Sequence, residues 1–198
     1  MGNPLSGPQS ASAALPHERA SLRAELLAAR RAWLAGSAAQ TAESNLAHQL
    51  AELLTQLEPQ CLGLYWALEG EFNAAAAVLA QHFEQVPQIA LPYAKQSGRE
   101  MVYRRWDGET PELKDECGIP SAAGAVVVPD VVLVPCVGFT REGFRLGYGG
   151  GYFDRWLAAH PGVTSVGLGW SVSEAQFAVE PHDQALTLIL TERELIAP

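Results

Sequence analysis

The sequence predicts an α/β fold in which helices cover both faces of a mostly parallel sheet. Two segments near the start carry apolar residues at the helical period, and further along short apolar runs of strand length alternate with helical segments. A glycine-rich turn joins the most apolar of these runs to a helix. Such alternation is typical of parallel sheets, because each return crossing needs a helix packed on the sheet.

The first two helices are predicted by apolar stripes. The helix at residues 17–34 places on one face Leu22, Leu26, Ala29 and Trp33. A neighbouring face holds Arg19, Arg23 and Arg30, and this pattern favours a solvated rim beside an apolar stripe. The helix at residues 41–57 has a stripe of Leu46, Leu50, Leu53, Leu54 and Leu57.

The remaining elements follow from shorter patterns. Strands are predicted at residues 61–66, 88–91, 101–106, 131–134, 164–168 and 186–190. Helices are predicted at residues 73–85, with Asn73 as the cap, and at residues 152–160. Pro92 is expected to end the second strand, and residues 107–124 are expected to form a long irregular loop.

The length and composition limit the organisation of the chain. With 198 residues, 48% of them hydrophobic, it suits a single domain with a substantial core, placed at residues 17–198. Residues 1–16 contain no charged side chain and are rich in Gly, Pro, Ser and Ala, so they are predicted to be a flexible tail. We expect a monomer.

The charge and the cysteines narrow the function. The chain has 13 basic and 22 acidic residues, a net charge of −9, which argues against a nucleic-acid partner. It does not exclude an anionic small-molecule ligand, because a few local cations can hold a phosphate on an acidic protein. Its three cysteines are far apart and have no metal-ligand spacing, which favours a reducing cytoplasm. No apolar stretch is long enough to span a membrane.

The segment that carries most chemistry lies between the strand at residues 131–134 and the helix that follows. Four glycines occupy five positions at residues 147–151, so backbone N–H groups can approach a ligand, and the next helix start favours an anion. Arg145 supplies a cation before the loop, and Asp154 lies in the first helical turn. The spacing matches neither a Walker A motif nor a dinucleotide fingerprint, and a tight strand-to-helix turn is the competing interpretation.

Longer runs resemble a known family. Val134-Pro135-Cys136-Val137-Gly138-Phe139, followed by Arg145-Leu146-Gly147-Tyr148-Gly149-Gly150-Gly151-Tyr152-Phe153-Asp154-Arg155, is similar to the signature of the 5-formyltetrahydrofolate cyclo-ligases. The resemblance covers residues 17–192 and includes Arg19-Ala20-Ser21-Leu22-Arg23 and Pro181-His182-Asp183. It departs at Ser121 and Ala122, which follow Gly118-Ile119-Pro120 where the family has Glu and Pro.

The resemblance implies a three-layer, Rossmann-like fold and an ATP- and Mg²⁺-dependent cytoplasmic enzyme. The implied reaction converts 5-formyltetrahydrofolate into 5,10-methenyltetrahydrofolate, with ADP and phosphate as the other products. Phosphorylation of the formyl oxygen would activate the carbon for attack by N10 of the folate.

The resemblance also assigns roles to individual residues. The catalytic residues are Arg145, which would neutralise charge, and Glu71, with Glu69 as the alternative if the register differs. ATP would contact Arg19, Arg23, Arg145, Leu146, Gly147, Tyr148, Gly149, Gly150, Gly151, Tyr152 and Phe153. The folate would contact Arg23, Trp66, Glu71, Tyr148, Gly149, Gly150, Gly151 and Tyr152. Mg²⁺ would be held by Asp154 and Asp183.

Two other functions fit parts of this pattern. A phosphate cradle alone would serve a sugar-phosphate enzyme on a related fold, although two acidic residues favour Mg·ATP. The departure at Ser121 and Ala122 would suit a folate-binding regulatory module without turnover.

Overall fold

A computed structural model of the chain describes residues 11–81 and 87–198. Its helices are α1 (Ala11–Leu34), α2 (Ala39–Leu57), α3 (Ala74–Leu79) and α4 (Tyr152–Ala159). The helix α1 begins earlier than the predicted start at residue 17, while residues 1–10 lie outside the described part, and the flexible tail stays a prediction. In the described residues, no helix is both long and apolar enough to cross a membrane.

Eight strands form the main sheet, and two short hairpins lie beside it. The main sheet contains β1 (Cys61–Gly63), β2 (Gln88–Ala94), β3 (Met101–Trp106), β6 (Val126–Val127), β7 (Val131–Pro135), β10 (Thr164–Leu168), β11 (Leu188–Leu190) and β12 (Leu195–Ile196). The hairpins pair β4 (Leu113–Lys114) with β5 (Pro120–Ser121), and β8 (Gly138–Phe139) with β9 (Arg145–Leu146).

The strand order is β12-β11-β10-β7-β1-β2-β3-β6. The five central strands are parallel to one another. At one side β12 pairs antiparallel with β11, and at the other side β3 pairs antiparallel with β2 and β6 pairs antiparallel with β3. From β1 the chain passes to β2 on one side and later returns to β7 on the other. Ligands of open α/β sheets bind at such a reversal, beyond the carboxyl ends of the strands.

Helices cover both faces of the sheet, as the sequence predicted. Along β7, Leu133 belongs to a cluster with α2 and α3, while Val132 and Val134 belong to a second cluster with Trp156 and Leu157 of α4. This alternation follows from the two-residue period of a strand. The structure is therefore a three-layer α/β fold.

The predicted stripes of the first two helices are buried in large part. In α2, Leu46, Leu50, Leu53 and Leu54 are buried and Leu57 is partly buried. In α1, Leu26 is buried, Leu22 and Trp33 are partly buried, and Ala29 is exposed. Asn73 caps α3 by accepting a hydrogen bond from the Ala76 N–H. The helix ends at Leu79, so the predicted extension to residue 85 is wrong, because Ala80 and Gln81 already lie in a turn and a bend.

The structure corrects several predicted boundaries. Strand β2 continues through Pro92 to Ala94, and Pro92 is the register partner of Tyr103 on β3. Its carbonyl accepts a hydrogen bond from the Ser121 hydroxyl. Strand β1 ends at Gly63, and the residues after it turn into a loop. The region 107–124 contains the β4–β5 hairpin, and the last parallel strand begins at Leu188 rather than at residue 186.

Candidate active site

A cavity of about 630 Å³ lies at the carboxyl ends of the central strands. Tyr65 and Trp66 after β1, Pro92 and Ala94 of β2, and Pro135 of β7 line it. The glycine-rich loop and the start of α4 complete one wall, and α1 contributes Arg19 and Arg23. The cavity thus lies where the chain order in the sheet reverses.

The glycine-rich loop is shaped by close contacts that only glycine permits. Gly149 and Gly151 have φ values of 92° and 64°. A Cβ on Gly150 would lie 2.7 Å from the Tyr152 ring, so a side chain there would displace the ring. Gly151 also precedes the first residue of α4, where backbone N–H groups and the helix dipole favour an anion.

Two arginines outside this loop donate hydrogen bonds to its carbonyl oxygens. Arg23 Nε donates to the Gly147 carbonyl at 2.6 Å, and Arg155 Nη2 donates to the Gly150 carbonyl at 2.6 Å. Arg155 Nε also donates to the Arg99 carbonyl at 2.9 Å, which ties the loop to the turn between β2 and β3. Carbonyls held in this way leave the loop's N–H groups for a ligand.

Arg145 and Asp154 form an ion pair within the cavity wall. Arg145 Nη1 lies 2.8 Å from Asp154 Oδ1, and their side chains are 4% and 16% exposed. The same carboxylate oxygen accepts a hydrogen bond from the Gln184 N–H at 3.2 Å. Asp154 therefore fixes the guanidinium in place, and within the described residues no hydrogen bond engages its second oxygen or the other N–H groups of Arg145.

Arg19 forms a second ion pair with Asp183. Arg19 Nη1 and Nη2 lie 2.8 Å and 3.2 Å from the two Asp183 oxygens, and Glu180 lies 3.3 Å from Arg19 Nη1. Burial acts to raise the pKa of Asp183, but the hydrogen bonds from Arg19 and from the Glu180 N–H outweigh it and hold the pKa below its usual value. Asp183 is therefore a stable anion at neutral pH.

The two predicted metal ligands, Asp154 and Asp183, both line the cavity. Potential ligand atoms of Glu180, His182 and Asp183 lie within 4.8 Å of one another, and Asp154 is outside this group. These carboxylate oxygens are hard donors of the kind that Mg²⁺ takes, together with phosphate oxygens and water. Each Asp also holds an arginine, so the donor set fits Mg²⁺ when anionic phosphates share the guanidinium charge.

Glu71 is held in a tight turn beside the cavity. Its N–H donates to the Leu68 carbonyl at 3.0 Å, and the Leu68 N–H donates to Glu71 Oε2 at 2.8 Å. Gly70 has a φ of 77°, and its carbonyl accepts a hydrogen bond from the Trp170 indole at 2.9 Å. The turn thus presents Glu71 in one fixed orientation.

The second oxygen of Glu71 has the character of a binding group. Glu71 Oε1 is buried and accepts no hydrogen bond within the described residues. Burial raises the pKa of Glu71, although the hydrogen bond from the Leu68 N–H, the proximity of the Tyr148 hydroxyl and the positive charge of Arg30 each act to lower it. A buried acceptor without a partner is costly unless a ligand supplies a donor. Glu71 lines the cavity, whereas Glu69 is exposed.

Aromatic rings form the apolar part of the wall. Trp66, Tyr148, Tyr152 and Phe153 line the cavity, and Trp66 packs edge-on against Trp106 at 6.4 Å. Leu146, in contrast, is fully buried behind the loop in a cluster with Leu26 and Val137. It therefore supports the wall without facing the cavity.

Sequence reasoning missed several residues of this site. Arg30, expected on a solvated rim, is only 2% exposed, and Arg19 and Arg23 are partly buried, so the rim interpretation is wrong for this face. The helical spacing places these three arginines on one side of α1, but it does not show what covers that side. Asp115 had no signal: it accepts hydrogen bonds from the N–H groups of Ala94, Cys117 and Ile119, which positions Cys117 and Ile119 at the cavity.

Comparison with known proteins decides the family. Residues 16–192 match the 5-formyltetrahydrofolate cyclo-ligase family. The chain belongs to the 5-formyltetrahydrofolate cyclo-ligase family. A relative with that name from Haemophilus influenzae is 25% identical over 152 residues, which are 71% of this chain and 80% of the relative. The chain is therefore an enzyme of the cyclo-ligase class that its motifs predicted.

Solved structures of the family share the fold. The structure of the 5,10-methenyltetrahydrofolate synthetase from Mycoplasma pneumoniae aligns with a TM-score of 0.67 at 19% identity, over 88% of this chain and 99% of that one. The NMR structure of the Aquifex aeolicus 5,10-methenyltetrahydrofolate synthetase aligns with a TM-score of 0.68 at 25% identity, over 90% and 92%. The three-layer fold is thus common to the cyclo-ligase and these synthetases.

Proposed function

We propose that this cyclo-ligase converts 5-formyltetrahydrofolate and ATP into 5,10-methenyltetrahydrofolate, ADP and phosphate, in a reaction that requires Mg²⁺. One observation carries the proposal. A glycine cradle with fixed guanidinium groups and a buried carboxyl with a free oxygen line the same cavity. The first suits the phosphates of a nucleotide, and the second suits the N–H donors of a pterin ring.

The phosphate side of the cavity would position the γ-phosphoryl group. Gly147 to Gly151 would offer backbone N–H groups, and Arg23 and Arg145 would neutralise the charge that spreads over the transferring oxygens. Burial and the nearby charge of Arg19 lower the pKa of Arg23, but a guanidinium stays protonated at neutral pH. Arg145 is already held by Asp154, so little reorganisation would accompany the reaction.

The folate side would bring the formyl group to that phosphate. Glu71 would accept hydrogen bonds from the pterin through Oε1, while Trp66, Tyr148 and Tyr152 would contact its ring. The formyl oxygen of the folate would accept the γ-phosphoryl group of ATP, and ADP would leave. N10 would then attack the formyl carbon, and phosphate would depart with the former formyl oxygen as N10 loses its proton. The residues would position and stabilise these groups without forming a covalent bond.

Asp154 and Asp183 would hold Mg²⁺, with Glu180 near enough to share it. A bound Mg²⁺ supplies charge neutralisation across phosphate oxygens. Arg145 and Arg19 would keep their ion pairs with these carboxylates and share their positive charge with the nucleotide. All three cysteines are free thiols, which agrees with a reducing environment. The cytoplasmic location and the monomeric state both remain predictions.

A competition measurement tests the two-part cavity. Unlabelled ADP and 5-formyltetrahydrofolate are titrated separately and together, and each dissociation constant is determined by calorimetry. We expect both to bind at the same time, because the proposed nucleotide contacts are backbone N–H and guanidinium groups, whereas the proposed folate contacts are the Glu71 carboxyl and aromatic rings. Mutual exclusion would contradict the proposed arrangement, and folate binding without any nucleotide binding would favour a regulatory module.

A further inference from the structure

Arg30 is a buried cation that lies beside the cavity and is not part of its lining. It is 2% exposed, and its Nη2 donates both to the Tyr148 hydroxyl and to the Glu69 carbonyl, each at 3.1 Å. Its Nε is buried and, among the described residues, has no hydrogen-bond partner. Burying a guanidinium is costly unless its contacts compensate. We therefore expect the buried charge of Arg30 to have a function, and we expect that function at the two groups that accept its hydrogen bonds.

Those partners belong to the two walls of the cavity. Tyr148 lies in the glycine-rich loop, between Gly147 and Gly149, and Glu69 lies in the turn that carries Glu71. Gly70 packs tightly on the same group, since a Cβ there would lie 3.2 Å from Arg30 Nε. One guanidinium from α1 thus joins two segments that are far apart in the sequence.

We propose that Arg30 is a positioning residue that fixes the Tyr148 ring and the Glu71 carboxyl relative to each other for folate binding. The inference rests on the proposed function, because it assigns these two groups to the folate.

The need for such an anchor follows from the surroundings of Tyr148. The residue is 45% exposed, and glycines on both sides leave its backbone little intrinsic rigidity. The hydrogen bond from Arg30 orients its hydroxyl toward the turn that carries Glu71. Without that bond the ring gains rotational freedom, and binding the folate must then restrict it again.

Glu71 depends on the same anchor through the backbone. Arg30 holds the Glu69 carbonyl and Trp170 holds the Gly70 carbonyl, so the turn is fixed at two successive peptides. Loss of the Arg30 contact would let the turn shift and move Glu71 Oε1 away from the pterin. The ATP contacts proposed for the loop involve other groups and should be less affected.

The test separates folate from nucleotide in steady-state kinetics. Arg30→Met keeps a side chain of similar length without the charge, and should raise KM for 5-formyltetrahydrofolate about tenfold while KM for ATP changes less than about twofold. Arg30→Lys should recover part of this loss, because it retains a donor. Arg31→Met changes the neighbouring, exposed arginine and should behave like the parent.

Tyr148→Phe supplies an independent variant that keeps the aromatic ring and removes the acceptor. It should reproduce most of the rise in KM, and the double variant should be no worse than Arg30→Met alone, since both remove the same bond. Additive losses, or an equal rise in the ATP KM, would overturn the inference, as would an unchanged folate KM in both single variants. A parent protein without turnover would overturn the proposed function instead, and the folate dissociation constants of the same variants would then decide the role of Arg30.

Discussion

The two walls of the cavity are built in different ways. The phosphate wall, residues 145–155, is one continuous segment whose glycines, Arg145 and Asp154 are close in the sequence. The folate wall, centred on Glu71, is assembled by Arg30 of α1 and Trp170 after β10. A contiguous wall can be recognised from its motif, whereas an assembled wall depends on contacts that only the fold creates.

The two walls also differ in how their acidic side chains are paired. On the phosphate wall Asp154 is paired with Arg145, and beside that wall Asp183 is paired with Arg19. On the folate wall burial raises the pKa of Glu71, and one of its oxygens has no partner in the described structure. The first wall is thus pre-arranged for charge, and the second for hydrogen bonding to a largely neutral ring.

The largest effect is expected on the phosphate wall, from Arg145→Ala. Loss of a fixed guanidinium should lower kcat by more than about tenfold, since each 1.4 kcal/mol of barrier corresponds to a factor of ten. Arg145→Lys is the matched control, which keeps the charge without the planar fork and should lose less. A folded Arg145→Ala variant with parental kcat would remove Arg145 from the mechanism.

Glu71→Gln should damage the folate wall selectively. The amide keeps the shape but loses the negative acceptor, so KM for 5-formyltetrahydrofolate should rise about tenfold while KM for ATP changes little. Initial rates at varied folate and varied ATP measure both constants. Glu69→Gln is the control on the exposed neighbour and should match the parent. Equal effects of the two variants would show that the choice of Glu71 is wrong.

The pH dependence of Glu71 sharpens the same contrast. Because burial places its pKa above the usual value, kcat/KM for the folate should fall as the pH drops through that raised pKa, and Glu71→Gln should lack this fall at acidic pH.

The contribution of Glu71 to protein stability should change with pH in the opposite direction. A pKa raised on folding gives stability that is present at low pH and lost as the pH rises, so Glu71→Gln should gain in Tm over the parent toward neutral pH. A Tm difference independent of pH would contradict the burial argument.

A smaller change is expected for Asp154→Asn, which tests the metal assignment. Turnover should fall several-fold and the Mg²⁺ dependence should shift to higher concentration, because the amide is a weaker ligand. Activity is measured across a Mg²⁺ titration at saturating ATP. Unchanged turnover at limiting Mg²⁺ would show that Asp154 is not a metal ligand. A changed KM for ATP with an unchanged Mg²⁺ dependence would show that Asp154 acts only by holding Arg145.

The smallest effect is expected from Trp170→Phe. Phenylalanine keeps much of the packing against Trp33 and Phe72 but cannot donate to the Gly70 carbonyl. We expect a loss of about 1 kcal/mol in the free energy of unfolding and a rise of a few-fold in the folate KM. Urea unfolding and steady-state rates measure the two quantities. A changed ATP KM with an unchanged folate KM would contradict the division between the walls.

Much of the fold could be predicted because local patterns and the fold agree. The stripe of α2 and the apolar run of β7 lie in the core where their periods place them. Pro92 misled the prediction, since its effect depends on which side of β2 has a neighbouring strand. The short strands β6 and β12 carry too few residues for a period to show.

The residues of the site also divide into those that a local motif predicts and those that depend on the fold. The glycines, Arg145 and Asp154 could be assigned from one motif, and the structure places them together at the cavity. Arg30 could not be assigned, because the spacing on α1 shows which residues share a face but not what covers that face. Its hydrogen-bond partners, the Tyr148 hydroxyl and the Glu69 carbonyl, lie 118 and 39 residues further along the chain.

The most direct test of the central claim is an absorbance assay for methenyltetrahydrofolate formation from 5-formyltetrahydrofolate. The account predicts that the methenyl band grows only when ATP and Mg²⁺ are both present. Folded protein that binds 5-formyltetrahydrofolate and forms no methenyl product under those conditions would contradict it.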